Sequence, residues 1–506
     1  MNFASLVLRH ANHRPDRRAL VLPIRWDAEG VHEEQVVTYA ALGDAIARFR
    51  GGLRAQGFRP GDRLVLMFPV GLDLYALTLA AMAEGVAIVL IDAGMGARKI
   101  LQAISSSRAR ALVSVSALLR LRWLAPPLWG KGRYCVDGEG LGLRPLAALR
   151  GEPVADDPLD CAADDHALIT FTSGSTGRPK GADRTHGLLS AQHHALAEHF
   201  PHRDDDVDLP AFPVVVLHDL CCGITAVVPP VDFKAVASVQ RDVVLQHARA
   251  HGVTRLSGAP AYVARLCTEP LDLPRLRQLG VGGARVSRGL AAAIAEATDA
   301  EGLVLYGSTE AEPIASVSIA ELLHATAPGV LVGRPASAAT VRLISLPHGA
   351  DTVGGIDAFV VPRGRVGELV VAGAHVNRGY VDDPAATAAN KLFPADGSCW
   401  HRTGDLARWD EQGRLWLVGR AADVVRVGDR DLHPFLVEEE VERRPGVERC
   451  ALVQGEGLPP TLAVQGAIEG IQIAGVRVLA VEQIPVDGRH NSKVDRVLLR
   501  RQLRGR

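Results

Sequence analysis

Apolar residues in this chain come in short runs separated by turn residues. RLVLMFP at 63–69 predicts a strand, Leu72 to Glu84 an apolar helix, and VAIVLID at 86–92 the next strand. Strand, helix, strand in that order is a βαβ unit. The alternation continues through Arg110–Ser116, Leu168–Thr172 and Val243–Leu256, which predicts an α/β sheet with helices on its faces. Between about Pro126 and Asp165 the pattern weakens into Pro, Gly and charge, as expected of an irregular connection. After Gly364 the texture changes: RVGELVVAG and GRLWLVGR alternate apolar with polar or small residues, the mark of antiparallel pairing. Past RAADVVRVG at 420–428 a mixed tail carries its own helix, Phe435–Arg443, and is expected to form a small domain joined at a hinge.

At 506 residues the chain is too long for one core and should divide into at least two domains. With 47% hydrophobic and 22% charged residues it reads as an ordinary globular protein rather than a disordered or fibrous one. A formal net charge of −1 offers no electrostatic case for nucleic acid as a partner. The most apolar stretch, Ala76–Ile91, is broken by Glu84 and Gly85, so no membrane span is expected. The N-terminus meets charge within ten residues and lacks an apolar signal region, so a cytoplasmic location is expected. The seven cysteines lack metal-ligand spacing and include the adjacent pair Cys221-Cys222, which predicts buried reduced thiols. No His/Asp/Glu cluster has ligand spacing either.

LITFTSGSTGRPKGADRTHG, residues 168–187, sets a β-branched run before a loop of glycines and hydroxyls that ends in Arg178 and Lys180. Two glycines permit positive φ and leave N–H groups and hydroxyls uncovered, so the loop suits phosphate. It does not follow the G-x-x-x-x-G-K-[ST] pattern. On these residues alone it is either a different phosphate loop or a flexible turn.

The motifs together resemble those of the adenylate-forming superfamily, which includes acyl-CoA synthetases, adenylation domains of peptide synthetases and luciferases. TSGSTGRPKG at 172–181, YGSTEAEP at 306–313, GELVVAGAHVNRGY at 367–380, WHRTGDLARWDEQGRLWLVGR at 400–420 and NSKVDR at 491–496 follow in the family's order. The resemblance implies an N-terminal adenylation core over 1–419, built of parallel-rich sheets packed with helices plus an antiparallel subdomain. It also implies a small mobile α+β C-terminal lid over 420–506, with the hinge near 420–423. ATP and Mg2+ are the implied cofactors.

The resemblance assigns the β- and γ-phosphates of ATP to Thr172, Ser173, Gly174, Ser175, Thr176, Gly177 and Lys180. Carboxylate attack on the α-phosphorus brings two anions together, so cations and donors must surround the transition state. Lys493 is suited to bridge the substrate carboxylate and the α-phosphate, Glu310 to hold Mg2+, and Thr309 to offer a hydroxyl to the α-phosphate. Tyr306, followed by Gly307 and Ser308, would face adenine beside the Gly282-Gly283-Ala284 backbone. Asp405, helped by Arg420, would accept the ribose hydroxyls. Each has a plainer alternative when read alone: a solvated tail lysine, a helix-starting acid, a turn aspartate or a core tyrosine. Co-occurrence in the family's order favours the functional set. His166, His186 and His375 are read as surface or satisfied histidines.

For the second half-reaction, coenzyme A ligases carry Asp or Lys two residues beyond the arginine of the GR pair, where this chain has Ala422. VLIDAGMG at 89–96, VDLPAFPVV at 207–215, ITAVVPPVD at 224–232 and VDGRHNSKV at 486–494 resemble β-lactone synthetases of bacterial olefin biosynthesis. Those enzymes adenylate a β-hydroxy acid, whose own hydroxyl then displaces AMP, so proximity replaces a second substrate. The expected acyl pocket comprises Phe212, Leu217, His218 and Glu312, with His218 as a general base towards the hydroxyl and Glu312 for a polar group on the chain. The alternative is thioester formation with coenzyme A or a carrier protein. Amino-acid activation fits less well, because Pro213 follows Phe212 where an aspartate would bind the α-amine. A non-catalytic nucleotide-binding relative is disfavoured because Lys493, Glu310 and Asp405 are all kept.

Overall fold

The computed structural model describes residues 1–504 apart from 93, 121–124, 139–141, 173–177, 233–238, 347–353 and 487–492, and without the side chain of Thr172. Two large sheets organise the molecule. In the seven-stranded sheet, Arg63–Met67 lies between Ala87–Ile91 and Ala111–Ser114, all parallel, and His166–Thr172 extends it beside Ala87–Ile91. The βαβ unit read from the sequence is therefore present, with its crossover helix at Leu72–Ala83. Every residue from Tyr75 to Ala83 is buried. A helix apolar all round can lie only in a core, and each fully buried Leu there contributes about 1.5–3 kcal/mol. Leu77 and Leu79 pack with Leu64 and Ile88 of this sheet and with Leu20 and Ala226 of the larger one, so one core joins the two.

The larger sheet has fourteen strands and changes character along its width. Val207–Pro210, Arg255–Gly258, Gln278–Gly282 and Glu301–Ser308 run parallel. From Glu301–Ser308 onward the pairing turns antiparallel, through Ala311–Ser318, Val330–Pro335, Leu415–Arg420, Trp400–Trp409, Gly367–Ala372 and Thr340–Ile344. Antiparallel structure thus begins well before Gly364. AEPIASVS at 311–318, short of β-branched residues and holding a proline, hides its strand. Val243–Leu256 divides into the end of helix Arg241–Ala250 and the strand Arg255–Gly258.

The stretch from Pro126 to Asp165 is not wholly irregular. Gly132–Cys135 and Arg144–Pro145 add to the outer edge of the seven-stranded sheet. Strands this short carry no visible period. Beyond the Ala421–Asp423 turn, none of the described residues joins either large sheet. Val425–Val427 pairs with Arg430–Leu432, and Val447–Gly455, Leu458–Gly466 and Arg477–Val481 form a three-stranded sheet beside helix Pro434–Glu442. Arg285, from the larger part, pairs with Glu442 on that helix and stands 3.9 Å from Glu439. All seven cysteines are buried and free.

Candidate active site

Open α/β sheets bind ligands at the carboxyl ends of their parallel strands, because loops and unpaired N–H groups converge there. The predicted residues sit at such ends. His166–Thr172 pairs antiparallel with Lys180–Thr185 in a register that sets Thr172 opposite Lys180, so both flank the 173–179 connection. Ser173, Gly174, Ser175, Thr176 and Gly177 lie outside the described residues. Gly282 ends one parallel strand, and Tyr306, Gly307 and Ser308 end its neighbour. Gly283 follows at φ 85°, in the left-handed region that favours glycine, and leads into Ala284.

Tyr306 donates its hydroxyl to Oδ2 of Asp405 at 2.6 Å, while Arg420 Nε donates to Oδ1 at 2.9 Å. The pairing of Asp405 with Arg420 across two antiparallel strands fixes this arrangement. Burial, and then the Asp405 carboxylate, push the Tyr306 phenol well above its ordinary range, so it remains a donor. Each carboxylate oxygen keeps a further lone pair for an incoming hydroxyl. Ser308 Oγ is buried and has no hydrogen-bond partner among the described residues. An orphaned hydroxyl beside a strand end fits a polar ligand.

Glu310 occupies the turn between Glu301–Ser308 and Ala311–Ser318. Its Oε1 accepts from the Tyr380 hydroxyl at 2.8 Å. Lys180 Nζ stands 5.4 Å above the Tyr380 ring, so one tyrosine links the phosphate-loop lysine to the acid. Main-chain pairing holds them together: Val381 N donates to Gly181 O at 2.9 Å, and Asn377 N to Glu310 O at 2.8 Å. Burial raises the Glu310 pKa, but the nearby His401, the Tyr380 hydroxyl and Lys391 outweigh it, and the net direction is down. His401 is itself pulled down to about 3 by burial and by Lys391, so near pH 7 it is neutral and the hydroxyl and lysine hold Glu310 ionised. Lys391 is buried, pushed down to about 8 by burial, and donates to Asn377 Oδ1. A half-buried, ionised carboxylate linked through Tyr380 to the phosphate-loop lysine suits a hard cation such as Mg2+ that also takes phosphate oxygens.

Tyr380, Lys391, Asn377 and His401 were not singled out in the sequence. Tyr380 and Asn377 lie in the 367–380 motif and His401 in the 400–420 motif, which is the signal that was available. Nothing in the spacing relates Lys391 to Glu310. Thr309 accepts from Arg184 Nη2 through its carbonyl at 3.3 Å, and Lys493 is exposed beside the last helix, Arg496–Leu503.

The pocket residues fall in two places. Phe212 is the N-cap of helix Pro213–Cys222, with Leu217 and His218 buried along it, while Glu312 is exposed on the strand after Glu310. His218 Nδ1 lies 3.0 Å from His193 Nδ1, and its Nε2 lies 3.4 Å from Cys222 Sγ. Burial, then His193, press its pKa well down. Both ring nitrogens face protein atoms in this arrangement, so action as a general base would require the ring to turn towards substrate. His193 and Cys222 are a second omission. His218 and Cys222, four apart on one helix, did carry a ligand-type signal.

His166 pairs with Asp183 at 2.8 Å, as a satisfied histidine does. His186 Nδ1 accepts from Phe3 N at 3.1 Å, but its buried Nε2 has no partner among the described residues, so it is only half satisfied. His375 is neither on the surface nor satisfied: it is buried, neither ring nitrogen has a hydrogen-bond partner of normal geometry among the described residues, and burial lowers its pKa.

Residues 7–381 match the AMP-binding enzyme family. The chain is 32% identical to the olefin beta-lactone synthetase of Xanthomonas campestris pv. campestris, over 98% of this chain and 96% of that one. It is also 32% identical to a feruloyl-CoA synthase from an Amycolatopsis species, over 92% of this chain and 90% of that one. Its fold matches the amide bond synthetase McbA from Marinactinospora thermotolerans with TM-score 0.79 and 24% identity, covering 99% of both chains. An O-succinylbenzoate coenzyme A synthetase from Bacillus subtilis, in complex with ATP and magnesium ion, matches with TM-score 0.76 and 20% identity, covering 98% of this chain and 99% of that one. The chain belongs to the AMP-binding enzyme family and is an adenylate-forming ligase.

Proposed function

We propose that this enzyme uses Mg·ATP to adenylate a β-hydroxy acid and then closes it to a β-lactone. The observation that carries the second half is Ala422, within the Ala421–Asp423 turn, where the resemblance to coenzyme A ligases calls for Asp or Lys. The likeness to olefin beta-lactone synthetases over nearly the whole chain supports the same choice.

Under this reading Lys180 and the 172–177 loop take the β- and γ-phosphates, Asp405 with Arg420 takes the ribose, and Tyr306 lies against adenine. Glu310, kept ionised by Tyr380 and Lys391, would hold Mg2+, which would neutralise charge on the phosphates. Thr309 donates its hydroxyl to the α-phosphate. Residues 420–506 act as a lid that turns near 420–423 and delivers Lys493 between the carboxylate and the α-phosphate. A substrate carboxylate oxygen bonds to the α-phosphorus as the bond to the bridging oxygen breaks, and pyrophosphate leaves. The substrate's β-hydroxyl oxygen then attacks the acyl carbon, its proton is lost to solvent, and AMP leaves. Tethering makes this second attack unimolecular, so no second substrate has to be bound and oriented. Phe212, Leu217 and Glu312 are assigned to the acyl pocket.

The second reading, thioester formation with coenzyme A or a carrier protein, is favoured by the feruloyl-CoA synthase relative. Incubation with ATP, Mg2+ and a panel of acids, with and without coenzyme A, separates the two by product mass. Lactone formed without thiol supports the proposal; product formed only with thiol, as thioester, rejects it.

A further inference from the structure

Among the described residues two groups of three side chains bring metal-ligating atoms together. Glu34, His247 and His251 form one at the surface, where Arg18 Nη1 stands 3.3 Å from His251 Nδ1. A guanidinium at that distance repels a divalent ion. The other group is His193, His218 and Cys222, whose ligand atoms all lie within 4.8 Å of one another. It sits between helices His186–His199 and Pro213–Cys222, with His218 and Cys222 7% and 8% exposed.

Bonds of about 2.0–2.1 Å to nitrogen and 2.3 Å to sulfur place tetrahedral ligand atoms roughly 3.3–3.6 Å apart. The 3.4 Å between Cys222 Sγ and His218 Nε2 and the 3.0 Å between the two Nδ1 atoms are close to that spacing. One ring cannot present both nitrogens to one ion, so an imidazole must turn about χ2. His218 and Cys222 supply the i, i+4 pair on one helix face, and His193 comes from the facing helix. The wholly buried carboxyls of Asp208 and Asp219 lie nearby, as does Arg255.

We propose that His193, His218 and Cys222 form a binding site for a thiophilic divalent cation, Zn2+ foremost, with a fourth position left for water. Binding replaces the thiol S–H by a metal–sulfur bond and releases one proton to solvent; no oxidation state changes. This centre is separate from Glu310, whose oxygen ligand suits a harder ion. It cross-links the helix that begins at Phe212 to the helix that follows the phosphate-loop hairpin.

The test uses the full chain without a histidine tag, stripped of metal and titrated with Co2+. One equivalent should bind with a near-ultraviolet sulfur-to-cobalt absorption and the visible bands of a tetrahedral ion, all reversed by Zn2+. Cys222→Ser should abolish the sulfur band, and His193→Ala should weaken binding at least tenfold, with circular dichroism confirming that each variant is folded. The proposal is overturned if the unaltered protein shows no sulfur band. It is equally overturned if that band survives Cys222→Ser, or if cobalt binds without sulfur character and is lost in His251→Ala, which places it at the Glu34 group.

Discussion

The Tyr380 hydroxyl donates to Glu310 Oε1 at 2.8 Å, and the same ring lies 5.4 Å below Lys180 Nζ. Three motifs far apart in sequence thereby meet on one side chain, and the acid read as the metal ligand is oriented by a residue to which the sequence attached no role. Tyr380→Phe removes a hydrogen bond to a charged group, worth about 1.5–3 kcal/mol. The expected outcome is an apparent Mg2+ affinity weaker by roughly tenfold or more. Acid-dependent pyrophosphate exchange measured against Mg2+ concentration checks it; an unchanged Mg2+ dependence contradicts the orienting role.

Lys391 is expected to matter through charge rather than contact with substrate. In Lys391→Met, Glu310 loses the cation that helps to hold it ionised, and its pKa should rise. Adenylation should fall about tenfold near pH 7 and recover in part as pH is raised. A pH–rate profile of exchange, compared with that of the unaltered enzyme, reads the difference. A uniform loss at every pH would point to a packing defect instead.

Asp405→Ala deprives both Tyr306 and Arg420 of their partner as well as removing the acceptor proposed for ribose. The KM for ATP should increase by about 10- to 100-fold, following the cost of lost charged hydrogen bonds. Calorimetric titration with a non-hydrolysable ATP analogue gives the affinity directly.

The parallel strands and the buried Leu72–Ala83 helix were legible because apolar runs of fixed length leave few alternatives. The ribose-type pair Asp405 and Arg420 was legible too, since both belong to motifs kept in order. Lys391, outside every motif, was not, nor was the approach of His401 to Glu310: both depend on the pairing of Lys391–Leu392 with Trp400–Trp409, a long-range register that no local period reports. His218 was singled out by its position after Phe212, but its packing against His193 on another helix was not legible in the sequence.

Stability should fall as acid protonates His186. The buried ring, held at about 4 by loss of solvation and accepting from Phe3 N, is neutral in the folded chain, against about 6.5 when unfolded. Its contribution is full above pH 6.5 and is lost as pH falls towards 4, by roughly 3 kcal/mol in all. Denaturant unfolding across that range should show a shallower acid loss in His186→Gln, once allowance is made for its lower stability at pH 7. An equal slope in both proteins counts against the histidine.

Lys493→Ala removes the cation proposed to bridge carboxylate and α-phosphate. Acyl-adenylate formation should drop by at least about a thousandfold, in the range of a lost transition-state charge contact, with ATP affinity little altered. Exchange near the normal rate would refute the assignment.

The central claim is that a substrate carboxylate attacks the α-phosphorus of ATP and that the same molecule's β-hydroxyl then expels AMP. A β-hydroxy acid carrying oxygen-18 in both carboxylate positions tests it directly, with the products analysed by mass. One heavy oxygen is expected in AMP and one in the lactone carbonyl, with no thiol required. AMP released without label, or label-bearing AMP that appears only when coenzyme A is supplied, would contradict the account.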